Sequence, residues 1–374
     1  MKTNPQIYLL CGEASGDLHA ANLVAAWKQI SPAIQFRGWG GDRLQQEGVH
    51  LDKHIRELSF MGFWEVFKNL PVIRKQFKAI QQQLLSQKPD LLILVDYPGF
   101  NLRMAKWAKD HGIKVLYYIS PTVWAWKQKR VLKIQKYVDQ LYCILPFEPA
   151  FYAKFGVQVH YFGHPLLDEI ERYRSLAPKH QQHQQHFDKP VLALLPGSRK
   201  QELHRLLPRM LEAAQAFEQT HQIHLVCAPH IPLAFYESFG LNAAIQCVQS
   251  HTYDTLCHAD MALVTSGTAT LETALFEVPQ VVCYRSSALS IWLAKKLVHI
   301  KYISLVNLIL DQLVVTELIQ ERCTVQNMVA ELHSIAPETT GRAMQIEQYR
   351  RLKSQLFLQE SPSSLVAKSM HTYL

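Results

Sequence analysis

Short, continuous apolar runs recur along the chain and alternate with segments of helical spacing. A run that is apolar at every position is typical of a strand covered on both faces. The segment 17–30 between the first two runs has helical spacing. This alternation predicts a parallel, doubly wound sheet. In the N-terminal half the predicted strands are Ile7–Cys11, Leu91–Val95, Val115–Ile119, Leu141–Leu145 and Val159–Phe162.

A second series of the same kind follows a polar break. The break, 171–186, contains His180, His183 and His186 among glutamines. No carboxylate or cysteine completes a metal shell there, so a solvated linker is favoured over a metal site. The pattern predicts domains over 1–170 and 187–344, with helices over 326–374. The second set of predicted strands is Val191–Leu195, Ile223–Cys227, Ile245–Val248, Met261–Val264 and Gln280–Tyr284.

Composition narrows the class of protein. The chain has 374 residues, 48% of them hydrophobic, and a formal net charge of +8. This length favours two folded domains, and the charge favours anionic partners such as phosphorylated substrates or an anionic bilayer. The seven cysteines form no metal-binding pairs and indicate reduced thiols in the cytosol. We expect no signal peptide and no spanning helix, so that any membrane association is peripheral.

Two strand–turn–helix junctions in the second domain have the composition of a phosphate site. Gly197, Ser198 and Arg199 follow one predicted strand, and Ser266-Gly267-Thr268 follows another. Glycine allows close backbone approach, and the helix starts offer free N–H groups to a diphosphate. Glu272, one turn into the second helix, could accept both ribose hydroxyls. A tight turn and ordinary helix caps are the alternative, but the two junctions together favour phosphate binding.

The first domain offers an acceptor site and a base. Glu13, Ser15, Gly16 and Asp17 belong to a glycine-spaced turn that opens a helix, where a phosphate or sugar is expected. Asp96 ends a buried strand, where burial raises a carboxyl pKa toward the range of a general base. The alternative for Asp96 is the N-cap of the helix that follows.

Two further segments combine aromatic and basic residues. Residues 60–80 form a basic amphipathic pattern that suits a bilayer surface or an acyl chain, with Pro71 expected to interrupt the helix; a core-facing helix is the alternative. Ser120–Trp126 places two tryptophans beside basic residues, where a lipid or sugar site and ordinary core packing are about equally supported. The candidate lipid or membrane residues are Phe63, Trp64, Phe67, Lys68, Leu70, Arg74 and Lys75.

Taken together, these motifs resemble the lipid-A-disaccharide synthase family, which are inverting glycosyltransferases. The resemblance runs in order from residue 12 to residue 308, over most of the chain, and Ser120–Trp126 is its most distinctive part. The matching segments are 12–17, 96–101, 120–130, 145–148, 162–164, 194–199, 266–272, 284–285 and 304–308.

The resemblance implies a glycosyltransferase B-type fold, with two Rossmann-like domains and a cleft between them. It implies an enzyme that joins UDP-2,3-diacylglucosamine to 2,3-diacylglucosamine 1-phosphate (lipid X), giving a β-1,6 tetraacyl disaccharide 1-phosphate and UDP. The family requires no metal, and no cofactor is expected. In this fold the C-terminal helices return to the first domain, so residues 345–374 are assigned there.

The resemblance also assigns roles. Asp96 would be the catalytic base, while Arg199 and the 266–268 amides would stabilise the leaving diphosphate. Arg285 and Asn307 would reach the donor. Family members often carry a second carboxylate three residues after the one at Asp96, whereas this chain has Gly99. A single inverting displacement needs one base, and the role is placed on Asp96, with Glu13 and Asp17 as the alternative acids of the cleft.

Other classes of function remain open at this point. A UDP-N-acetylglucosamine 2-epimerase of the same fold would not need the segment 60–80, and a non-catalytic membrane-binding relative would not need Asp96. Nucleic-acid binding is not expected, because no reader motif is present. The expected location is cytoplasmic and peripheral on the inner membrane of a Gram-negative-type bacterium, and an oligomer is possible.

Overall fold

The computed structural model describes residues 4–58, 70–180, 189–287 and 300–374. These residues form two compact units. The first comprises Met1–Arg172 together with Leu356–Leu374, and the second comprises Tyr173–Gln355. Each unit is built on one open parallel sheet, as the apolar runs predict.

The first unit has a seven-stranded parallel sheet in the order β3-β2-β1-β4-β5-β6-β7. Its strands are β1 Gln6–Cys11, β2 Gln35–Gly40, β3 His50–His54, β4 Leu91–Val95, β5 Val115–Tyr118, β6 Gln140–Cys143 and β7 His160–Tyr161. Its helices are α1 Ala14–Ile30, α2 Asp42–Gln46, α3 Leu70–Gln87, α4 Pro98–Asp110, α5 Val131–Tyr137, α6 Glu148–Ala153 and the part of α7 Leu166–His180 that ends at Arg172.

Side chains of the central strands enter two hydrophobic cores, one on each face of the sheet. Ile7 and Leu9 of β1 pack on the face that carries α1. Tyr8 and Leu10 pack on the opposite face, with α4. Because successive side chains of a strand point to opposite faces, a strand between two helical layers must be apolar at every position.

The second unit has a six-stranded parallel sheet in the order β10-β9-β8-β11-β12-β13. Its strands are β8 Val191–Leu195, β9 Gln222–Cys227, β10 Ile245–Gln249, β11 Ala259–Thr265, β12 Gln280–Tyr284 and β13 Glu317–Ile319. Its helices are α8 Lys200–Gln215, α9 Leu233–Glu237, α10 Thr252–His258, α11 Thr268–Leu275, α12 Leu305–Leu310, α13 Val325–Ser334 and α14 Thr340–Leu356. The last helix of the chain, α15 Pro362–His371, belongs to the first unit.

The C-terminal assignment needs a correction. Residues 345–355 lie in the second unit, because Gln345 in α14 exchanges hydrogen bonds with the backbone of Gln280, at 2.9 and 3.2 Å. Only Leu356–Leu374 return to the first unit. There α15 packs on α1, and the indole of Trp27 donates to Nδ1 of His371 at 3.2 Å.

One smaller expectation also differs from the structure. The predicted linker 171–186 is helical up to His180, because buried Leu166 and Ile170 anchor the start of α7 in the first unit; residues 181–186 lie outside the described part. Pro71 is the second residue of α3 as described, and residues 59–69, where an interruption of the helix would be seen, lie outside the described part, so that expectation stays a prediction. Among the described residues, no helix is long and apolar enough to cross a bilayer.

Candidate functional site

The candidate catalytic residues lie where the strand order of the first sheet reverses. From β1 the chain proceeds outward to β2 and β3, and then returns to place β4 on the other side of β1. Cys11 at the end of β1 is paired with Val95 at the end of β4. The connections that leave these strands therefore diverge to opposite sides, which opens the crevice where parallel α/β sheets bind ligands.

Asp96 follows β4 directly and has an unusual backbone. Its φ is +46° and that of Tyr97 is +50°, a left-handed conformation that such residues rarely adopt. The N–H of Asp96 donates to the carbonyl of Tyr118 at 3.0 Å. The side-chain amide of Asn101 donates to the carbonyls of Asp96 (2.8 Å) and Val95 (3.1 Å). These bonds hold the strained turn and fix where the carboxyl group leaves the strand.

Asn101 is fully buried and acts here as a clamp on the backbone of the turn. In the sequence, Asn101 is one polar residue in a helical segment. Its place in the family-like segment 96–101 is the one sequence feature that indicates a function for it.

The surroundings of Asp96 raise its pKa to about 6, mainly because the carboxyl is buried. The negative charge of Glu13, across the crevice, raises the pKa further, whereas a hydrogen bond from the backbone of Tyr97 lowers it. A carboxylate with this pKa is largely ionised at neutral pH and yet basic enough to accept a proton.

Gly12 and Tyr97 are in close contact across the same crevice. A Cβ added at Gly12 would lie 2.5 Å from Cγ of the Tyr97 ring. Gly12 is therefore required by packing rather than by its φ. A Cβ added at Gly99 would have no atom of the described residues within 4 Å, apart from the adjoining chain.

Asp17 has a different role from the predicted one. It is buried, and its carboxylate accepts the backbone N–H groups of Gly41 (2.6 Å), Arg43 (3.0 Å) and Leu44 (3.3 Å). Asp17 therefore caps α2 although it belongs to α1, and its carboxylate has few acceptor sites left for a ligand. Of the other predicted acceptor residues, Glu13 and Ser15 are exposed at the crevice, and Gly16 packs against Val95.

The second sheet has its own reversal point, between β8 and β11. Leu195 and Val264 are paired near the ends of these strands. Gly197 follows with a φ of +101°, and a Cβ added there would lie 2.9 Å from Cγ2 of Thr265. Glycine is thus required at this junction by both its conformation and its close packing. The two predicted phosphate junctions are neighbours in the structure.

Exposed polar groups surround this second crevice. Ser198 is exposed, and the side chain of Arg199 is 76% exposed, with Nη1 3.1 Å from Oε1 of Glu202. Gly267 has a φ of +150° and open space beside it, and Thr268 begins α11. The start of α8 lies beside the start of α11, so two sets of free helix N–H groups face one region.

Three further donor-site candidates have partners already. The Ser266 hydroxyl donates to the carbonyl of Ile303 at 2.9 Å, which ties the 266–268 turn to a neighbouring loop. Glu272 accepts the hydroxyl of Tyr253 at 3.1 Å. Arg285 donates to the carbonyl of Cys323 at 3.3 Å.

The predicted role of Asn307 in binding the donor is corrected by the structure. It is fully buried, and its amide donates to the Val315 carbonyl and to Glu317, at 2.8 and 2.9 Å. Its oxygen accepts the N–H groups of Val314 and Val315, so every hydrogen-bonding site that it offers is used. Asn307 therefore orders the loop, and Glu317, which the sequence did not single out, completes that network by accepting the N–H groups of Ile303 and Ser304.

The predicted lipid or membrane residues are described only in part. Phe63, Trp64, Phe67 and Lys68 lie outside the described residues, as does the side chain of Leu70. Arg74 and Lys75 are exposed on the first turns of α3. Together with Lys78 and Pro71 they line a shallow groove.

Solved structures with a similar fold include a sugar-nucleotide epimerase and a glycosyltransferase. A Neisseria meningitidis UDP-GlcNAc 2-epimerase bound to UDP-GlcNAc matches with a TM-score of 0.65 at 12% identity, covering 99% of this chain and 100% of the other. The calicheamicin glycosyltransferase CalG4 matches with a TM-score of 0.61 at 15% identity, covering 100% and 99%. At these identities the likeness shows the fold, which is the predicted glycosyltransferase B type.

Sequence relatives identify the family. A family model described as lipid-A-disaccharide synthetase matches residues 7–369. Proteins named lipid-A-disaccharide synthase are 36% identical in Coxiella burnetii, over 100% of this chain and 99% of the relative, and 39% identical in Myxococcus xanthus, over 90% and 89%. The chain therefore belongs to the lipid-A-disaccharide synthase family.

Proposed function

We infer that this protein is a glycosyltransferase that joins UDP-2,3-diacylglucosamine to 2,3-diacylglucosamine 1-phosphate, giving the β-1,6-linked disaccharide 1-phosphate and UDP. Membership of the family supports the reaction. The mechanism rests on the position of Asp96. Its backbone is strained, and its largely buried carboxyl lies at the reversal point of the first sheet.

In the proposed step Asp96 removes the proton from the acceptor 6-hydroxyl. That oxygen attacks the anomeric carbon of the donor from the face opposite UDP. The new C–O bond forms as the bond to the diphosphate breaks, and the configuration inverts. The raised pKa of Asp96 suits this role, because the carboxylate must be ionised before the step and protonated after it.

The second unit is proposed to hold the donor. The leaving diphosphate develops negative charge at the starts of α8 and α11, where backbone N–H groups, Ser198, Thr268 and Arg199 are exposed. The contact of Arg199 with Glu202 is an exposed ion pair and is therefore weak, so Arg199 can turn to a phosphate. Glu272, which also accepts the hydroxyl of Tyr253, is proposed to accept hydrogen bonds from the ribose hydroxyls.

The acylated substrates also suggest where the protein works. The net charge of +8 and the exposed cations Arg74 and Lys75 on α3 support peripheral binding to the anionic inner leaflet of a Gram-negative-type bacterium. The aromatic residues of the preceding segment would then contact acyl chains.

The test is UDP release from UDP-2,3-diacylglucosamine in mild detergent with EDTA, with and without the phosphorylated acceptor. We expect release that depends on acceptor, together with a disaccharide product in which the new linkage is β. UDP binding without release in the presence of both substrates would contradict the proposal. Release that does not depend on acceptor would indicate a different UDP-sugar reaction.

A further inference from the structure

Two cations at the same edge of the first sheet share one indole ring. Nζ of Lys127 lies 4.2 Å from the centroid of the Trp126 ring, and Cζ of Arg130 lies 5.4 Å from it. Cation–π contact of this kind orients both positive groups without neutralising them. An indole that holds a lysine and an arginine together leaves their N–H donors free for one anion.

The electrostatics of this pair are unusual. Partial burial, and then the positive charge of Arg130, lower the pKa of Lys127 below its ordinary value. No carboxylate acts on Lys127 among the described residues. Two like charges held this close repel each other, and a bound anion would relieve that repulsion.

The backbone of Lys127 is strained as well. Its φ is +56°, a left-handed conformation that lysine rarely adopts, at the start of the short 3-10 helix Gln128–Arg130. Glycine or asparagine would be accommodated more easily here. Strained backbone conformations of this kind are often found at functional sites, which supports a use for the charge of Lys127.

The segment that carries the pair follows β5, the strand beside the one that ends at the proposed base. The connection 119–127 leaves β5, which is paired with β4, and Val95 is opposite Tyr118. Burial above all raises the pKa of the Tyr117 phenol; Asp96 raises it further, whereas Arg130 lowers it. The hydroxyl of Tyr117 also donates to the Asp96 carbonyl. Asp96 and Arg130 therefore act on the same phenol from one edge of the sheet.

We propose that Lys127 and Arg130, oriented by Trp126, bind the 1-phosphate of the acceptor sugar. In the glucosamine ring, C1, which carries the phosphate, and C5, which carries the 6-hydroxymethyl group, are the two carbons that flank the ring oxygen. A phosphate held beside the base thus directs the 6-hydroxyl toward Asp96. This inference rests on the proposed function, because that reaction brings a phosphorylated sugar to this unit.

The test compares two acceptors, 2,3-diacylglucosamine 1-phosphate and the same sugar without phosphate. Lys127→Asn removes the charge and keeps a residue that tolerates the left-handed backbone, and Arg130→Gln removes the second charge. We expect each variant to lose about 10- to 100-fold in kcat/KM for the phosphorylated acceptor, mostly through KM. Turnover of the unphosphorylated acceptor should change far less, so that the preference for phosphate is lost.

Lys129→Gln is the matched control, since Lys129 is an exposed cation of the same turn and contacts neither the indole nor a substrate in this proposal. It should keep the wild-type preference. Equal losses with both acceptors, or no loss with either, would overturn the inference. If turnover of the unphosphorylated sugar is too slow to measure, an unchanged Kd of the variants for the phosphorylated acceptor overturns it. If the wild type forms no disaccharide, the proposed function fails first.

Discussion

At the scale of single residues, the account depends on Asp96 as the only base. The carboxyl is fixed by the backbone bonds of its neighbours, and no second acid occupies the open position at Gly99.

Replacing Asp96 by asparagine tests this directly. Asn tolerates the left-handed φ and preserves the shape of the side chain, but it cannot accept the proton. We expect kcat to fall by about 10²- to 10⁴-fold, the usual contribution of a general base, with UDP binding unchanged. Gly99→Asp is the matched control, and it should leave kcat within about twofold of the wild type if one base suffices. Normal turnover by the Asp96 variant, or a large gain from Gly99→Asp, would contradict the assignment.

Residues such as Asp17 and Asn307 show what a sequence cannot reveal at this scale. Both are polar residues that the sequence pattern predicts as ligands. The structure shows each buried and saturated by backbone partners. Whether a polar side chain binds a ligand or the backbone depends on its contacts with distant segments of the chain. The spacing of residues along the sequence does not predict these contacts.

At the scale of elements, the contact between Gly12 and Tyr97 links β1 to the turn after β4. We expect Gly12→Ala to push the Tyr97 ring away and move the adjoining carboxyl, with a loss of about 10- to 100-fold in kcat, since small misplacements of catalytic groups are this costly. Gly99→Ala adds the same methyl group into open space. It should leave kcat unchanged and the melting temperature equal or higher. Equal kinetic effects of the two variants would show that the close contact is unimportant.

The carboxylate of Asp17 caps α2 and connects it to α1. Asp17→Ala would leave three backbone N–H groups without their acceptor, and we expect the free energy of unfolding to fall by about 2 kcal/mol. Chemical denaturation measures this loss. Glu13→Gln, a change to an exposed acid on the same turn, should leave stability unaltered. Wild-type stability in the Asp17 variant would restore it as a candidate ligand.

Strands were predictable from the sequence where both of their faces are completely buried. The runs at 91–95 and 191–195 coincide with β4 and β8, and every one of their residues is buried. The strands β2, β3 and β13 were not predicted. Arg37 and two glycines interrupt the apolar pattern of β2, β3 is an edge strand with no fully buried residue, and β13 has only three residues. Edge strands carry a weak signal because one side faces solvent.

At the scale of the whole molecule, charge and the acylated substrates point to a membrane surface. We expect the protein to cosediment with vesicles that contain anionic lipid and to dissociate as salt rises, because screening shortens the range of its positive charge. Purely zwitterionic vesicles are the control and should bind far less. A double variant Arg74→Gln and Lys75→Gln should bind more weakly than the wild type. Vesicle binding that changes neither with lipid charge nor with salt concentration would contradict an electrostatic contribution.

The organisation into two units was predictable from the repeated alternation of strands and helices. The residues at which the units begin and end were not predictable. The helix α14 has helical spacing whichever unit it belongs to, and its place in the second unit depends on the contacts of Gln345 with Gln280. The return of α15 to the first unit likewise depends on partners such as Trp27, more than 300 residues away in sequence. Long-range partners of this kind leave no local pattern.

The pH dependence of kcat/KM for the acceptor tests the central claim most directly. Because Asp96 must be ionised and burial raises its pKa to about 6, kcat/KM should fall about tenfold per pH unit below that value and level off above it. Glu13→Gln removes the charge that raises this pKa, so the acid limb should move to lower pH. A profile that stays flat through pH 6, or an acid limb that Glu13→Gln does not move, would contradict the assignment of Asp96 as the base.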